Sequence, residues 1–177
     1  MTHGAGGGVA SKDLLAVRQA GLARRAVVAR VLQPYRVRGA RAPGAPGPQD
    51  AAWLEIVAAL REQYPGIPLV QGGRSNGARV ACRTAADAGA RAVIALAFPL
   101  HPPGRPELSR AEELRNAGTD VLVVNGERDP FGIPAAKDAA RLVVLPGETH
   151  SLSKKPAAVG AAVGSWLDDV LDLSSNA

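Results

Sequence analysis

The sequence predicts an α/β protein with a doubly wound, mostly parallel sheet and helices on both faces, a three-layer α/β/α arrangement. Short apolar runs rich in β-branched residues alternate with longer segments of helical spacing, and this alternation is typical of parallel sheets with helical crossovers. The runs interpreted as strands are 26–32, 68–71, 92–98, 121–125 and 142–145. The segments interpreted as helices are 11–24, 50–63, 76–88, 107–117, 133–140 and 156–171.

Residue types at the ends of these segments support the boundaries. Ser11 and Asp50 are good helix N-cap residues, and Gly89 and Gly118 stand where helices should stop. With 177 residues, 46% of them hydrophobic, the chain is long enough to bury a core, so we expect one domain over 1–177. No connection between predicted elements is long enough to hold a cap domain.

The spacing Gly-x-Ser-x-Gly occurs with Ser75 at its centre. It follows a short apolar run and leads into a helix-compatible run, the strand–turn–helix context of a nucleophile elbow. A serine on such a sharp turn leaves almost no room for side chains two residues away, which explains Gly73 and Gly77. The pattern indicates a nucleophilic Ser75 whose oxyanion would be bound by the backbone N–H of Asn76.

Two candidate partners for this serine follow in the chain order Ser, Asp, His. Asp129 comes just after the strand 121–125, and His150 just after the strand 142–145. Since sites in open α/β sheets form at the carboxyl ends of strands, we expect the three side chains to meet there. His150 would take the proton from Ser75, and Asp129 would orient the imidazole. The alternatives are a turn or capping residue at Asp129 and a capping or exposed loop residue at His150.

The segment His3-Gly4-Ala5-Gly6-Gly7-Gly8 is interpreted as the second half of the oxyanion hole. It resembles the HGGG-type loop of lipases and esterases, and its glycines would let the backbone of Gly4, Ala5 and Gly6 approach a substrate carbonyl. The alternative is a disordered glycine-rich terminus. We expect His3 and His101, the latter in a proline-rich segment after a strand, to contact substrate. His101 is also a rival base, but no carboxylate is obviously placed to orient it.

Together these motifs resemble the small bacterial α/β-hydrolases related to dienelactone hydrolases. The nearest likeness is to the family sharing the hydrolase-like domain of testis-expressed proteins and of a histone-acetyltransferase complex subunit. The resemblance covers almost the whole chain and implies an α/β-hydrolase fold and a serine hydrolase, usually without an assigned substrate. One relative has a scaffolding role. The segments that carry the likeness are 2–8, 34–35, 72–79, 98–104, 126–130 and 147–151.

One departure from the family pattern concerns the start of the chain. In the resembled fold the oxyanion loop follows a central strand, which lies between the strand 26–32 and the strand leading to Ser75. Only Met1 precedes Thr2 here, so we expect a sheet that is truncated on its N-terminal side. Either the two flanking strands pair directly, or Met1 is internal to a longer natural protein. We favour the second interpretation because unpaired inner strand edges are costly.

The net charge is +5, and much of the basic excess lies in the first half of the chain. The segment 35–49 is predicted to be a long exposed loop, and its arginines could attract acidic substrates or nucleic acid. The alternative is an arginine-rich surface typical of a high-GC genome. Aromatic residues make up only 3% of the chain, so a base-stacking platform is lacking and nucleic acid is not the expected partner.

Several other classes are disfavoured by the sequence. No apolar run approaches the ~20 residues needed to span a bilayer, and no secretory signal is visible, so a cytoplasmic location is the default. The single cysteine, Cys82, excludes an internal disulfide and a cysteine-rich metal site. We expect no metal and no other cofactor.

The leading hypothesis is a serine hydrolase acting on the carboxylic ester or thioester of a small molecule. Without a cap domain, short substrates or exposed ester groups are expected rather than long lipid chains. The competing hypothesis is a non-catalytic interaction module that keeps the fold and binds a partner through its surface.

We expect an upstream-extended chain to be more stable and more active than the 177-residue form. Burying even four Val or Ile side chains in a restored central strand contributes about 1.5–3 kcal/mol each before conformational entropy is subtracted. The added strand would also fix the oxyanion loop. Thermal melting and ester turnover of the two forms test this expectation, and equal melting temperatures with equal rates would contradict it.

Overall fold

A parallel sheet of four strands forms in chain order from β1 (Val70–Arg74), β2 (Ala92–Leu96), β3 (Asp120–Gly126) and β4 (Arg141–Leu145). The computed structural model describes residues 1–171. Its helices are α1 (Lys12–Leu22), α2 (Pro34–Val37), α3 (Pro46–Gln63), α4 (Asn76–Thr84), α5 (Ala111–Arg115) and α6 (Pro156–Val170). The pairing is in simple register, with Val70 opposite Ala92 and Ala92 opposite Asp120.

Side chains of the two central strands alternate between two buried faces, which explains why their sequences are continuously apolar. On one face, Ile94 and Leu122 pack with α1 and α6 in one hydrophobic cluster. On the other face, Val93 and Val123 pack with α4 and α5 in a second cluster. Helices therefore cover both faces of the sheet, and the predicted three-layer α/β/α architecture is confirmed.

The edge of the sheet beside β1 is formed by the start of the chain. Thr2 makes parallel bridges to both Gly73 and Val31, so it lies between β1 and the segment that precedes Val31. The N–H of Thr2 donates to Gly72 O (3.0 Å), and the N–H of Val31 donates to Met1 O (2.9 Å). The expectation that the two flanking segments pair directly is therefore wrong, because Met1 and Thr2 lie between them.

The prediction of a regular strand over 26–32 is also wrong. Its bridge partner is Thr2 alone, and one bridge is too short a ladder to define a strand. The segment still follows the sheet direction, since the Met1 amine donates to Ala29 O (2.9 Å) and Thr2 Oγ1 donates to Val31 O (2.9 Å).

Helix α3 begins at Pro46 rather than at the predicted Asp50. Proline is tolerated in the first helical turn, where its missing N–H has no partner to lose. Asp50 instead pairs with Arg83 on α4, with Nη2–Oδ1 at 2.7 Å. The predicted loop 35–49 therefore shrinks to 38–45 between α2 and α3.

Two predicted helices are less than half as long as predicted, and α4 ends at Thr84 rather than at residue 88. Only Ala111–Arg115 is helical within 107–117, and 133–140 contains a single 3-10 turn at Ala136–Asp138. The longest connection between elements in residues 1–171 runs from 97 to 110, which is too short for a cap domain. None of the helices in this part of the chain is long and apolar enough to cross a bilayer.

Candidate active site

Ser75 lies on a sharp turn between β1 and α4. Its backbone has φ 53° and ψ −116°, a conformation that is strained for a residue with a Cβ. The turn is possible because Gly73 and Gly77 have no side chain and other backbone atoms lie close to them. A Cβ on Gly73 would lie 2.8 Å from Ala78 N, and one on Gly77 would lie 2.7 Å from Thr2 O. Both distances are too short for any side chain, so the spacing Gly-x-Ser-x-Gly has a steric cause.

Ser75, His150 and Asp129 form one hydrogen-bonded chain. His150 Nε2 lies 2.9 Å from Ser75 Oγ, and His150 Nδ1 lies 2.9 Å from Asp129 Oδ2 and 3.1 Å from Asp129 Oδ1. Since an ionised carboxylate can only accept, Nδ1 carries the proton and Nε2 is the acceptor for the hydroxyl of Ser75. The three residues lie at the carboxyl ends of β1, β3 and β4.

The loops that carry the acid and the base are held rigidly. The Asp129 carboxylate is fully buried and also accepts from the N–H of Phe131 at 2.9 Å. The Phe131 ring packs on the His150 imidazole with centroids 4.3 Å apart. The N–H of Arg128 donates to Glu148 O (2.8 Å), which joins the loop after β3 to the loop after β4. The imidazole is therefore held at its Nδ1 edge by Asp129 and on one ring face by Phe131.

The glycine-rich segment at the start of the chain lies against the serine. A Cβ on Gly4 would be only 3.0 Å from Ser75 Cβ, and Gly4 O accepts from the N–H of Gly7 (3.1 Å), closing a turn around Ala5 and Gly6. Among the described residues, no backbone acceptor pairs with the N–H of Ala5 or of Asn76. These donors lie on the two segments that flank Ser75.

His3 does not reach the site surface, and the expected substrate contact by its side chain is wrong. The imidazole is 1% exposed, and its Nε2 accepts from the N–H of Gln33 at 3.0 Å. Its Nδ1 lies 2.8 Å from Gly4 O, so the ring is neutral with the proton on Nδ1. Burial lowers the pKa of His3, the bond to Gly4 raises it, and the charge of Arg36 lowers it further. His3 therefore holds the glycine loop in place.

A chain of amide side chains joins this loop to the first turn of α4. The amide of Gln33 donates to His3 O (2.7 Å). Asn76 Nδ2 donates to Gln49 Oε1 (2.8 Å) and to Gln33 Oε1 (3.4 Å). Both segments that carry the free N–H groups are thereby bonded to Gln33, and Gln49 adds a second bond to Asn76.

Arg74 anchors the elbow on its other side. Its Nη2 donates to His150 O (2.8 Å), and its Nε lies 2.9 Å from Oδ2 of the fully buried Asp13 on α1. The second contact is an ion pair rather than a well-aligned hydrogen bond. Through Arg74, helix α1 is connected to the serine turn and to the histidine loop.

His101 lies beside the loop after β3 but makes no hydrogen bond to Ser75, Asp129 or His150. Its N–H donates to Phe131 O (3.0 Å), and its Nδ1 lies 2.8 Å from Pro102 O. No carboxylate within residues 1–171 pairs with its ring. A role as a rival base has no support in this geometry, and the substrate contact expected of His101 stays a prediction.

Sequence reasoning does not single out Gln33, Gln49, Arg74 or Asp13. The sequence does give one indication for Gln33, because this residue directly follows an apolar run interpreted as a strand. Asp129 is identified as a candidate from the same kind of position. The buried pair of Arg74 and Asp13 joins residues far apart in the chain and has no local signal.

Two further observations bear on alternative chemistry. The described residues contain no group of three or more His, Cys, Asp or Glu placed to hold a metal ion. Cys82 is buried on α4, and burial raises the pKa of its thiol, so it stays protonated and unreactive.

A parallel sheet that presents serine, aspartate and histidine at its carboxyl edge, with a strained serine turn, defines the α/β type of hydrolase fold. The sequence matches the family described as alpha/beta hydrolase domain over residues 1–164. The chain belongs to the α/β hydrolase domain family.

Solved structures show the same fold. An α/β serine hydrolase homologue from Coxiella burnetii superimposes with a TM-score of 0.73 at 15% identity, covering 94% of this chain and 85% of that one. A serine hydrolase without a lid from Xanthomonas campestris gives 0.71 at 20% identity, covering 95% and 80%. Est1E from Butyrivibrio proteoclasticus gives 0.67 at 19% identity, covering 97% and 86%. At these identities the likeness concerns the fold alone. A comparison with curated proteins gave no significant match.

The buried neutral His3 predicts a pH-dependent stability. Its folded pKa lies below the ordinary value of 6.5, so the unfolded chain binds more protons as pH falls below that value. The stabilising contribution is therefore present above about pH 6.5 and is lost as pH falls towards the lowered pKa. Chemical denaturation between pH 7 and 5 should show a steeper loss of stability in the wild type than in His3→Gln. Equal slopes would contradict the prediction.

Replacing Arg74 should destabilise the protein through Asp13. Arg74→Met leaves a carboxylate buried without its partner, and breaking such a pair costs about 3–5 kcal/mol of unfolding free energy. The double variant Asp13→Asn, Arg74→Met removes the buried charge and should recover part of that loss. Arg105→Met is the matched control, because the Arg105 side chain is 62% exposed and its ion pair with Glu107 lies at the surface. Its effect should be below about 1 kcal/mol in urea unfolding. Similar losses in Arg74→Met and Arg105→Met would overturn the assignment.

Proposed function

We propose that the protein is a serine hydrolase that cleaves the carboxylic ester or thioester of a small molecule. Ser75 is the nucleophile, His150 the general base and then the general acid, and Asp129 the residue that orients and stabilises the imidazole. The oxyanion is bound by backbone N–H groups of Asn76 and of the loop formed by Gly4, Ala5 and Gly6. We extend the proposal to a dienelactone-hydrolase-like subfamily, on the motifs given by the sequence.

One observation carries this proposal. Asp129, His150 and Ser75 make a continuous chain of hydrogen bonds with heavy-atom distances of 2.9 Å at both links of the imidazole. These distances lie within the reach that proton transfer requires. The tautomer set by Asp129 leaves Nε2 free to receive the serine proton.

The reaction runs in two halves. Ser75 Oγ attacks the carbonyl carbon while His150 Nε2 takes the hydroxyl proton, and the carbonyl oxygen becomes an oxyanion between the two N–H segments. His150 then gives this proton to the departing alkoxide or thiolate, which leaves an acyl group on Ser75. A water molecule repeats the steps: His150 takes its proton, the acid is released, and the proton returns to Ser75.

The choice of a small substrate rests on the open site. The longest connection between elements in residues 1–171 is 97–110, so none of the segments described by the structure forms a lid domain over Ser75. The serine hydrolase from Xanthomonas campestris is also described as lacking a lid, and Est1E is described with ferulic acid bound. Both descriptions suit a site that admits compact or exposed ester groups.

A fluorophosphonate probe should label Ser75 in the folded protein. Ser75→Ala should abolish labelling and reduce the turnover of a short ester by about 10⁴-fold or more. Asp129→Asn should keep the fold and lower kcat by about 10⁴-fold, since the amide favours the wrong imidazole tautomer. Mass spectrometry of the labelled peptide and ester assays of the variants provide the measurements.

Asp87→Asn is the matched control for Asp129→Asn, because Asp87 is exposed and lies outside the site. This variant should keep full turnover and labelling. A folded protein that neither reacts with the probe nor hydrolyses any short ester or thioester would contradict the proposal. That result would favour the non-catalytic interaction module instead.

A further inference from the structure

Glu148 is a fully buried acid two residues before His150, and it takes no part in the proposed reaction. One oxygen of its carboxyl group, Oε1, accepts from the N–H of Lys155, and the other, Oε2, has no hydrogen-bond partner among the described residues. No ion pair within residues 1–171 involves this group. Buried polar atoms nearly always have partners in native proteins, so a carboxyl group in such a place needs an explanation.

The bond to Lys155 closes the loop that carries His150. This loop, residues 149–154, connects the turn after β4 to α6, and Lys155 is the N-cap residue of α6. Helix α6 is itself fixed, because Val159 and Val163 are fully buried in the hydrophobic cluster on one face of the sheet. The side chain of Glu148 therefore joins the two ends of the His150 loop.

The backbone of Glu148 is held independently of that bond. Its N–H donates to Leu145 O (3.2 Å), and its carbonyl oxygen accepts from the N–H of Arg128 (2.8 Å). A Cβ on Gly126 would lie 2.6 Å from Glu148 O, so the end of β3 packs directly against this residue. The carboxyl group therefore extends from a backbone that the ends of β3 and β4 keep in place.

The His150 loop needs such a closure because part of its backbone is strained. Leu152 has φ 47° and is 0% exposed, so an unfavourable conformation accompanies the burial of its side chain. Two other hydrogen bonds across the loop come from lysine ammonium groups at the surface. Water competes for these donors, and holding a lysine side chain costs rotamer entropy. The buried acceptor of Glu148 therefore holds the loop more firmly.

We propose that Glu148 is a positioning residue for His150, which sets the place of the imidazole by closing the loop. The length of its side chain is the decisive property, because the acceptor must reach the N–H of Lys155. Contacts with Asp129 and Phe131 orient the imidazole but do not close the loop that carries it. The inference rests on the proposed hydrolase function, since it assigns a role within the same site.

The reaction is sensitive to the place of the imidazole. A general base must lie within about 2.6–3.2 Å of the atom that gives up the proton. His150 Nε2 meets this limit at 2.9 Å from Ser75 Oγ. A displacement of the loop by about 1 Å would take Nε2 outside the limit, and misplacement of that size can lower a rate about 100-fold.

Three variants separate the length of the side chain from its charge. Glu148→Gln keeps an oxygen at the same distance from the backbone but is not an acid. Glu148→Asp keeps the acid on a side chain that is shorter by a methylene group, and Glu148→Met removes the acceptor. We expect Glu148→Gln to keep kcat close to that of the wild type. The other two should lower kcat about 10- to 100-fold with KM unchanged, because the base and not substrate binding is disturbed.

Asp138→Leu is the matched control. Asp138 is also a buried acid that accepts a backbone N–H, from Ala135 at 3.2 Å, but it precedes β4 and lies at the opposite end of that strand from His150. This variant should lower the melting temperature and leave kcat of the folded protein unchanged. Equal losses of kcat in Asp138→Leu and Glu148→Met would show that lost stability lowers turnover, and the inference would fail. If Glu148→Met does not fold, the comparison of Glu148→Asp with Glu148→Gln decides.

A spectroscopic measurement does not depend on turnover. The chain has three histidines, so comparison with His150→Gln identifies the ring nitrogen signals of His150 in an NMR spectrum of protein labelled at histidine. In the wild type these signals should report one tautomer, with the proton on Nδ1. Glu148→Gln and Asp138→Leu should keep them. Glu148→Asp and Glu148→Met should move them towards the averaged signals of a free histidine.

The kinetic and spectroscopic results separate this inference from the proposed function. If the wild type hydrolyses a short ester while Glu148→Asp keeps both kcat and the His150 signals, the inference fails and the hydrolase function stands. If the wild type neither hydrolyses an ester nor reacts with the fluorophosphonate probe, the hydrolase function fails. The role of Glu148 then still stands if the His150 signals change in Glu148→Asp and not in Glu148→Gln. Equal changes in these two variants would show that the charge holds the loop, and the inference would be overturned.

Discussion

The close approach of the first residues of the chain to the serine turn is the constraint on which the rest of the site depends. Two hydrogen bonds join Thr2 to the end of β1: the N–H of Thr2 donates to Gly72 O, and Thr2 O accepts from the N–H of Arg74. At this spacing a Cβ on Gly77 would lie 2.7 Å from the carbonyl oxygens of Thr2 and His3. Glycine at this position is thus required by the neighbouring segment as much as by the turn itself. The same contact brings Gly4 next to Ser75.

Groups that take no part in the proposed chemistry hold the strained turn in place. Arg74 ties it to α1 and to the histidine loop, and Gln33 ties the glycine loop to the first turn of α4 through Asn76. A residue at φ 53° costs of order 1–3 kcal/mol and persists only where its surroundings over-determine it. Arg74 and Gln33 act on opposite sides of Ser75, so the surroundings fix the strained turn from two directions.

The sequence predicts those parts of the molecule that leave a local signal. Apolar runs and glycine or proline boundaries are enough for the four strands, α1, α4 and α6, and the strand ends then lead to Ser75, Asp129 and His150. The failures have a common cause, since each depends on a partner distant in the chain. The segment 26–32 lacks a ladder because its partner is a single residue, and the His3 ring is buried with its Nε2 bonded to the N–H of Gln33, 30 residues away. Nothing local distinguishes a histidine that binds substrate from one that positions a loop.

The start of α3 shows how one such failure of prediction conceals a cavity. If 35–49 is interpreted as an exposed basic loop, its arginines indicate only a general attraction for anions. In the structure, α3 begins at Pro46, so Gln49 and Trp53 lie on a helix that faces Tyr35 across a small cavity. Two prolines in the first helical turn make this early start possible without losing a hydrogen bond. The basic segment then supplies part of the wall of this cavity, through Tyr35, Arg38 and Pro43. Tyr35, which the sequence places at the start of an exposed loop, is therefore only 4% exposed in the folded chain.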